Sequence, residues 1–356
     1  MPVIPVADLR GYVADIFAAA GCSRAESARV AHYLVMANLT GHDSHGVARV
    51  PRYVSMKNDG AIFADRTLEV VVDTPSLSVV DGQFGFGQTV AEQATRIGIE
   101  KCRAHGLAAV ALRNAGHIGR VGDWAEMAAA QGFISIHFCN AAGSVLVAPY
   151  NGVERRFSTA PFCIGVPRLG QAPLLLDFAT SVVAEGKVLV ASQGGKKVPP
   201  HAMIGPDGKQ GNDPHLLYGD YTPTGPRNGA LGAGALRAFG DYKGSALALM
   251  CELLGGALTG NGATSTGRRF ANGLFSIFID PARVDPAAFF DGELARYAAF
   301  VSSSKPMAAD AEVLLPGEIE ARTKAEREKN GVPLPDDTWN SIVETARALG
   351  IKSKPG

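Results

Sequence analysis

Leu77-Ser-Val-Val-Asp-Gly-Gln-Phe-Gly-Phe-Gly87 is the stretch on which the fold class turns. Glycine clusters of this kind suggest a dinucleotide-binding turn, and Gly232-Ala-Gly234 offers a second fragment. Neither follows a convincing strand as G-x-G-x-x-G with an acidic residue about 20 positions later, so the sequence argues against a Rossmann fold. Outward from this stretch, residues 68–72 and 77–80 are β-rich runs bounded by Asp, Pro and Gly. Toward the C-terminus, helical periodicity over 89–105 gives way to a strand at 108–112. A helix at 121–131, a strand at 133–138, a short strand at 174–177 and a helix at 183–192 follow. Residues 194–240 are rich in Gly, Pro, Asp and Asn and read as a long ordered loop or lid. An apolar helix at 243–258 and a strand at 274–279 complete the central block.

Helices flank this block. Residues 7–20 carry Leu9, Val13, Ile16 and Phe17 at helical spacing, and Ser23 with Glu26 forms a capping box for a helix to about Leu39. Ser44 is the N-cap expected for a third helix reaching Asn58. From Asp285 the chain is helical again, ending over 337–349. The expected class is α+β, with a helical domain from both termini (1–75 and 285–356) and a central α/β domain (76–284).

Composition narrows the function. In 356 residues, 34 Lys+Arg balance 34 Asp+Glu, so there is no global field to attract nucleic acid or an anionic membrane. Neither a signal peptide nor a membrane-spanning apolar run is seen; the best run, 245–258, contains Glu252 and two glycines. Cys22, Cys102, Cys139, Cys163 and Cys251 are scattered with no CxxC, which suits reduced thiols in the cytoplasm. Any charge-dependent chemistry must come from a few local residues.

The densest such cluster is Gly41-His-Asp-Ser-His-Gly-Val-Ala-Arg-Val-Pro-Arg-Tyr53. On a helix from Ser44, the residues His45, Arg49 and Tyr53 fan over roughly 80° of one face. Arg can grip a small carboxylate in bidentate fashion while His moves a proton at the adjacent carbon. The plain alternative is a solvated polar face with Ser44 as a cap. His42-x-x-His45 also suggests a metal, but no third ligand is obvious, so no metal is assigned. Asn114-Ala-Gly-His117-Ile-Gly-Arg120-Val-Gly122 follows a strand. Its glycines can free backbone N–H groups for a phosphate, with Arg120 as the cation, or simply form a tight turn. Leu176-Asp-Phe-Ala-Thr-Ser181 and Asp241-Tyr-Lys-Gly244 are weaker candidates of the same type.

Taken together these segments resemble the malate/L-lactate/L-sulfolactate dehydrogenase family of non-Rossmann, NAD(P)-dependent oxidoreductases, nearly end to end. The matching segments include 41–53, 117–122, 157–161, 177–181, 242–260 and Leu315-Pro-Gly-Glu318. The resemblance implies a homodimer with a largely antiparallel central sheet, and hydride transfer between NAD (NADP as the alternative) and C2 of a 2-hydroxy/2-oxo acid. It assigns His45 as proton donor and acceptor, with His117 as rival, and Arg49, Tyr53 and Ser44 to the substrate. It assigns His117, Arg120, Asp177, Phe178, Ala179, Thr180, Ser181, Tyr242, Lys243, Pro316, Gly317 and Glu318 to the dinucleotide. Two departures stand out. The family's G-T-N-P is Ser158-Thr-Ala-Pro161 here, and Gly116 replaces the usual Asn or His before His117. Both suit a bulkier or less polar 2-oxo acid. A reductase of a cyclic imine 2-carboxylate is the alternative within the family. A metal-dependent hydrolase using His42, His45 and His117 is the alternative outside it.

Overall fold

The structure is a computed structural model, and it describes residues 1–192, 194, 197–222 and 227–352. Parts of the 194–240 segment, Lys196 among them, therefore lie outside the described residues.

Both ends of the chain meet in one helical layer. Strand β1 (Val3–Ile4) pairs antiparallel with β13 (Val332–Pro333). Beside it pack α1 (Val6–Ala19), α2 (Arg24–Leu39), α3 (Val50–Asn58) and the amphipathic α12 (Asp336–Ala348). Leu9, Ile16, Phe17, Leu34, Val332 and Ile342 share its core. Ser23 caps α2 by accepting the Glu26 N–H at 3.2 Å. Glu26 does not close the box. Its buried carboxylate accepts from Asp65 N and from the Thr89 hydroxyl, tying the helical layer to the central block.

The central sheet has seven strands in the order β2 (Glu69–Asp73), β3 (Leu77–Asp81), β4 (Leu107–Ala115), β12 (Ala271–Ile279), β5 (Ile134–Ala142), β7 (Phe162–Arg168) and β8 (Gln171–Phe178). Every neighbouring pair is antiparallel except β3 and β4. The α+β, largely antiparallel class expected from the sequence is therefore the observed one. One premise behind it needs correction. A strand does precede the glycines, since β3 runs into them and α4 (Gly87–His105) follows, giving a single β-α-β crossover. The excess glycines leave the backbone open to a neighbouring loop, described below.

Helices α4 and α5 (Gly122–Ala129) cover one face of the sheet over Val110, Leu112, Trp124 and Phe278. The other carries α8 (Tyr242–Cys251), which continues as a π-helical turn, Glu252–Leu258. The expected long loop is also corrected. Its described residues contain β9 (Met203–Ile204), β10 (Gln210–Gly211), α7 (His215–Tyr218) and β11 (Ala235–Arg237), paired in a four-stranded sheet with β6 (Val147–Ala148). Val147, Val183, Val188, Met203, Leu217 and Leu236 give that sheet its own core against α6 (Glu185–Ser192). Sparse apolar residues hid it because each strand is short. The remaining helices are α9 (Pro281–Val284), α10 (Phe289–Ser302) and α11 (Glu318–Asn330).

Candidate active site

The helix expected from Ser44 is broken. Asp43–His45 and Val47–Arg49 are separate 3-10 turns, and α3 starts only at Val50, with Pro51 in its first turn. Gly46 between them is extended (φ −87°, ψ −150°), and the Asn38 side chain occupies the space a Cβ at that position would need. The Asn38 amide oxygen accepts the Val47 N–H at 2.8 Å, and its amide nitrogen donates to Asp43 at 2.6 Å. His45, Arg49 and Tyr53 therefore do not share one helical face. A tertiary arrangement gathers them instead.

His45 lies parallel to His117, with ring centroids 5.5 Å apart, and Phe270 stacks on the far side of His117 at 6.4 Å. The Ser44 hydroxyl is 3.2 Å from His45 Nδ1. Arg49 Nε donates to the Ser44 carbonyl at 2.6 Å, and among the described residues no carboxylate pairs with its guanidinium. Burial first, then coupling to the adjacent His117 ring and the Arg49 charge, hold the His45 pKa well below the usual histidine value. Burial and then Arg49 push His117 down to about 3. Both rings keep an accessible edge although protein atoms crowd them from most sides. The centre thus holds two neutral imidazoles and one unneutralised cation, an arrangement complementary to an anion.

Tyr53 differs from expectation. It is buried, and its hydroxyl lies 2.5 Å from His117 Nδ1 while accepting from Gln88 Nε2 at 3.1 Å. With its oxygen used by Gln88, the phenol donates to His117, leaving Nε2 of that ring to carry the proton. Tyr53 thus orients His117. Gln88 and Phe270 were not legible as site residues, although Gln88 directly follows the glycine cluster.

That cluster forms the bed of the His117 turn. Gly82 N donates to Arg113 O, Phe84 N to Asn114 O, and Gly116 N to Gly85 O at 2.9 Å. A Cβ on Gly87 would collide with the His117 backbone. Asparagine side chains fix both ends of the turn: Asn261 accepts the Asn114 N–H at 3.0 Å and Asn272 the Ile118 N–H at 3.0 Å. Behind them Asn140 donates to the buried Glu252 of the π-turn, which also accepts from Ser158 N, Ser158 Oγ and Thr264 N.

Arg120 requires correction as a phosphate-binding cation. Its side chain is fully buried and bonds Asp123 at 2.9 Å and Glu126 at 2.6 Å. Asp177 lies 3.9 Å from the same guanidinium and caps α5 by accepting the Gly122 N–H at 2.8 Å. Three carboxylates surround the one cation, although its buried Nε keeps no hydrogen-bond partner among the described residues, so protein acids balance the Arg120 charge. The neighbours of Asp177 are placed differently. Phe239 N donates to Thr180 O at 3.0 Å, Val182 N donates to Arg237 O, and Ser181 bridges Ala238. Segments 178–182 and 237–243 thus lie side by side. A cavity of about 500 Å³, lined by Val182, His201, Arg237, Phe239 and Asp241 among others, opens between them. Tyr242 and Lys243 are exposed at the head of α8. Pro316 O accepts from Leu175 N at 3.0 Å, seating Pro316, Gly317 and Glu318 against β8. From 178–182 the chain enters α6, where Gly186 approaches Ser44 so closely that a Cβ would lie 2.6 Å from the serine Cβ. Residues 182–186 thus run from the wall of this cavity to the turn that carries His45, a spacing that suits a dinucleotide.

His42 points away to Glu320 at 3.5 Å. Among the described residues no three His, Cys, Asp or Glu are grouped as metal ligands.

Comparison with known proteins gives the same assignment over nearly the whole chain. The sequence profile of the malate/L-lactate dehydrogenase family matches residues 4–343. Hydroxycarboxylate dehydrogenase B of Escherichia coli (strain K12) is 39% identical over 349 residues, 96% of this chain and 93% of its own. Malate dehydrogenase from Pyrococcus horikoshii OT3 superposes with a TM-score of 0.86 at 27% identity, covering 99% of this chain and 97% of its own. Delta1-piperideine-2-carboxylate reductase from Pseudomonas syringae superposes with a TM-score of 0.80 at 27% identity, covering 97% and 100%. A non-Rossmann antiparallel sheet, paired histidines beside a free arginine and similarity along the full length converge on one conclusion: the chain belongs to the malate/L-lactate dehydrogenase family of oxidoreductases.

Proposed function

We propose that this oxidoreductase transfers hydride between NAD(H) and C2 of a 2-hydroxy/2-oxo carboxylic acid of the malate, lactate or aryl-lactate type. The observation that carries the reading is Arg49, a cation without a carboxylate partner among the described residues, set beside two neutral imidazoles. A bound nicotinamide dinucleotide would supply or accept the hydride, held by Phe178, Ala179, Thr180, Ser181, Tyr242, Lys243 and the 316–318 segment. Arg49 binds the substrate carboxylate and fixes C2 beside His45. Neutralising Arg49 in this way removes one of the charges that depress His45, so substrate binding raises the affinity of that imidazole for a proton. His45 then delivers the proton to the ketone oxygen, or removes it in the reverse direction. His117, oriented by Tyr53, walls the pocket on the other side.

The test is a panel of 2-oxo acids assayed with NADH and NADPH. His45→Ala should abolish turnover while dinucleotide binding persists; retained kcat would transfer the acid/base role to His117. Arg49→Leu should lower kcat/KM at least about 30-fold, mainly through KM, since a charge-assisted bidentate contact is lost. Indifference to that change would remove the carboxylate clamp. NADPH-dependent reduction of a cyclic imine 2-carboxylate is the second reading, favoured by the likeness to the piperideine-2-carboxylate reductase, and such imines belong in the same panel. Family membership sets the hydrolase reading aside.

The same reading takes 1–75 and 285–356 as the helical domain and 76–284 as the cofactor domain. Burial of all five unpaired thiols supports a reducing, cytoplasmic setting. Exposed Leu249, Met250, Leu253 and Leu258 along α8 and its π-turn support a homodimer, which light scattering at micromolar concentration would test.

A further inference from the structure

Beyond C2, the substrate must extend past Arg49, and α6 packs against the Asp43–His45 turn that precedes that arginine. Gly186 holds α6 against Ser44, the neighbour of His45, and Glu185 is the residue directly before it. Its carboxylate accepts a hydrogen bond of 2.6 Å from Tyr218, whose side chain is almost wholly buried. Tyr218 also lies near enough to Arg49 for the guanidinium charge to act on its hydroxyl. A phenol has one proton, and here Glu185 receives it. The Tyr218 oxygen therefore offers only lone pairs, and behind it stands a negative charge. Arg227, the other cation acting on Tyr218, stacks on Tyr221 at 3.9 Å and bonds Ser192 and Thr222.

We propose that the Glu185–Tyr218 pair is a specificity filter that admits 2-oxo monocarboxylates and rejects dicarboxylates. This rests on the reading of Arg49 as the clamp for the substrate's first carboxylate. With Arg49 so occupied, a second carboxylate on C3 or C4 would meet an acceptor oxygen and a like charge in a partly desolvated pocket. An alkyl or aryl tail, or one bearing a donor, meets no such penalty. Discrimination comes from the repulsive element as much as from the attractive one.

The experiment compares kcat/KM for 2-oxobutyrate and phenylpyruvate with that for oxaloacetate, using the full-length protein and both reduced nicotinamide dinucleotides. Wild type should favour the better monocarboxylate by at least about 10-fold, because a buried like-charge contact costs more than 1.4 kcal/mol. Glu185→Gln removes the charge with the shape retained and should shrink that ratio at least about 10-fold, chiefly through a lower KM for oxaloacetate. Tyr218→Phe removes the acceptor oxygen but keeps the charge, so it should shrink the ratio less than Glu185→Gln does. A wild type that prefers oxaloacetate overturns the filter, and that result stands even if Glu185→Gln fails to fold. So does an unmoved ratio in a Glu185→Gln protein whose melting temperature matches wild type. Absence of turnover with every 2-oxo acid is a different failure: it removes the dehydrogenase reading itself, and the filter with it.

Discussion

Tyr53 shows how one buried hydroxyl can order a ring of the candidate site. It accepts from Gln88 and sits 2.5 Å from His117 Nδ1, so it fixes both the tautomer and the tilt of a ring that stacks on His45. Tyr53→Phe would leave the Gln88 amide and the His117 Nδ1 without partners in a buried place, at about 1–3 kcal/mol of stability. Turnover should also fall with little change in KM, since Arg49 remains. A variant with wild-type stability and wild-type kcat would show that His117 needs no such support. His45, His117 and Arg49 were singled out in sequence as groups suited to proton transfer or anion binding, and the structure gathers them in one cluster. The role of Tyr53 was not, because spacing along a helix says nothing of a partner 64 residues away. Arg120 misled for the same reason. A cation in a glycine-rich turn looks like a phosphate ligand until the acids from α5 and β8 are seen to enclose it.

Among the elements, most helices and strands were readable from periodicity, and boundaries moved by only a few residues: the helix expected over 89–105 is Gly87–His105, and the strand at 133–138 runs Ile134–Ala142. Elements governed by tertiary contact escaped. β7 contains Gly165 and Pro167, poor strand residues; Pro167 lies beyond the pairing with β5 and at a register shift against β8, where no ladder N–H is needed. The apolar run at 243–258 switches from α to π at Glu252, which places that carboxylate where Ser158, Asn140 and Thr264 all donate to it. Close approach also sets residue size. Gly98 of α4 lies against the Phe278 ring of β12, and a Cβ there would fall within the ring's van der Waals surface. Gly98→Ala should therefore cost about 1–3 kcal/mol through overpacking, despite the better helix propensity of alanine. Phe278→Leu in the same chain should return part of that loss. Urea unfolding of the two single variants and the double variant would measure the coupling, and strictly additive losses would show that the helix–sheet gap is not the cause.

At the scale of the whole molecule, the two ends of the chain and the central sheet are joined by contacts that surround the site. Arg327 of α11 pairs with Asp43 at 2.6 Å, two residues from His45, and Glu320 of the same helix meets His42. The C-terminal helices thereby brace a turn built by the N-terminal ones, an arrangement foreshadowed by helices at both ends but not specified by them. Buried ionisable groups also make the stability of the assembly depend on pH. His137 lies wholly buried in β5 between the Ser135 and Ser276 hydroxyls, edge-on to Phe278, and burial pushes its pKa down to about 3. The unfolded chain takes up that proton below about pH 6.5, whereas the folded chain refuses it until about pH 3. Its contribution is therefore complete above pH 6.5 and shrinks as pH falls, by about 1.4 kcal/mol per pH unit. His117 acts in the same direction. Asp123 opposes them: burial raises its pKa, so its protonated form is favoured in the folded state and its contribution fades as pH rises. Wild type and His137→Asn, unfolded by urea at several pH values between 6 and 4, separate these effects, because the opposing terms are common to both. The variant should be less stable at pH 7, having lost a hydroxyl contact, yet its stability should fall with acid less steeply than wild type by about 1.4 kcal/mol per pH unit. Parallel slopes would show that His137 is not among the groups through which acid unfolds this protein.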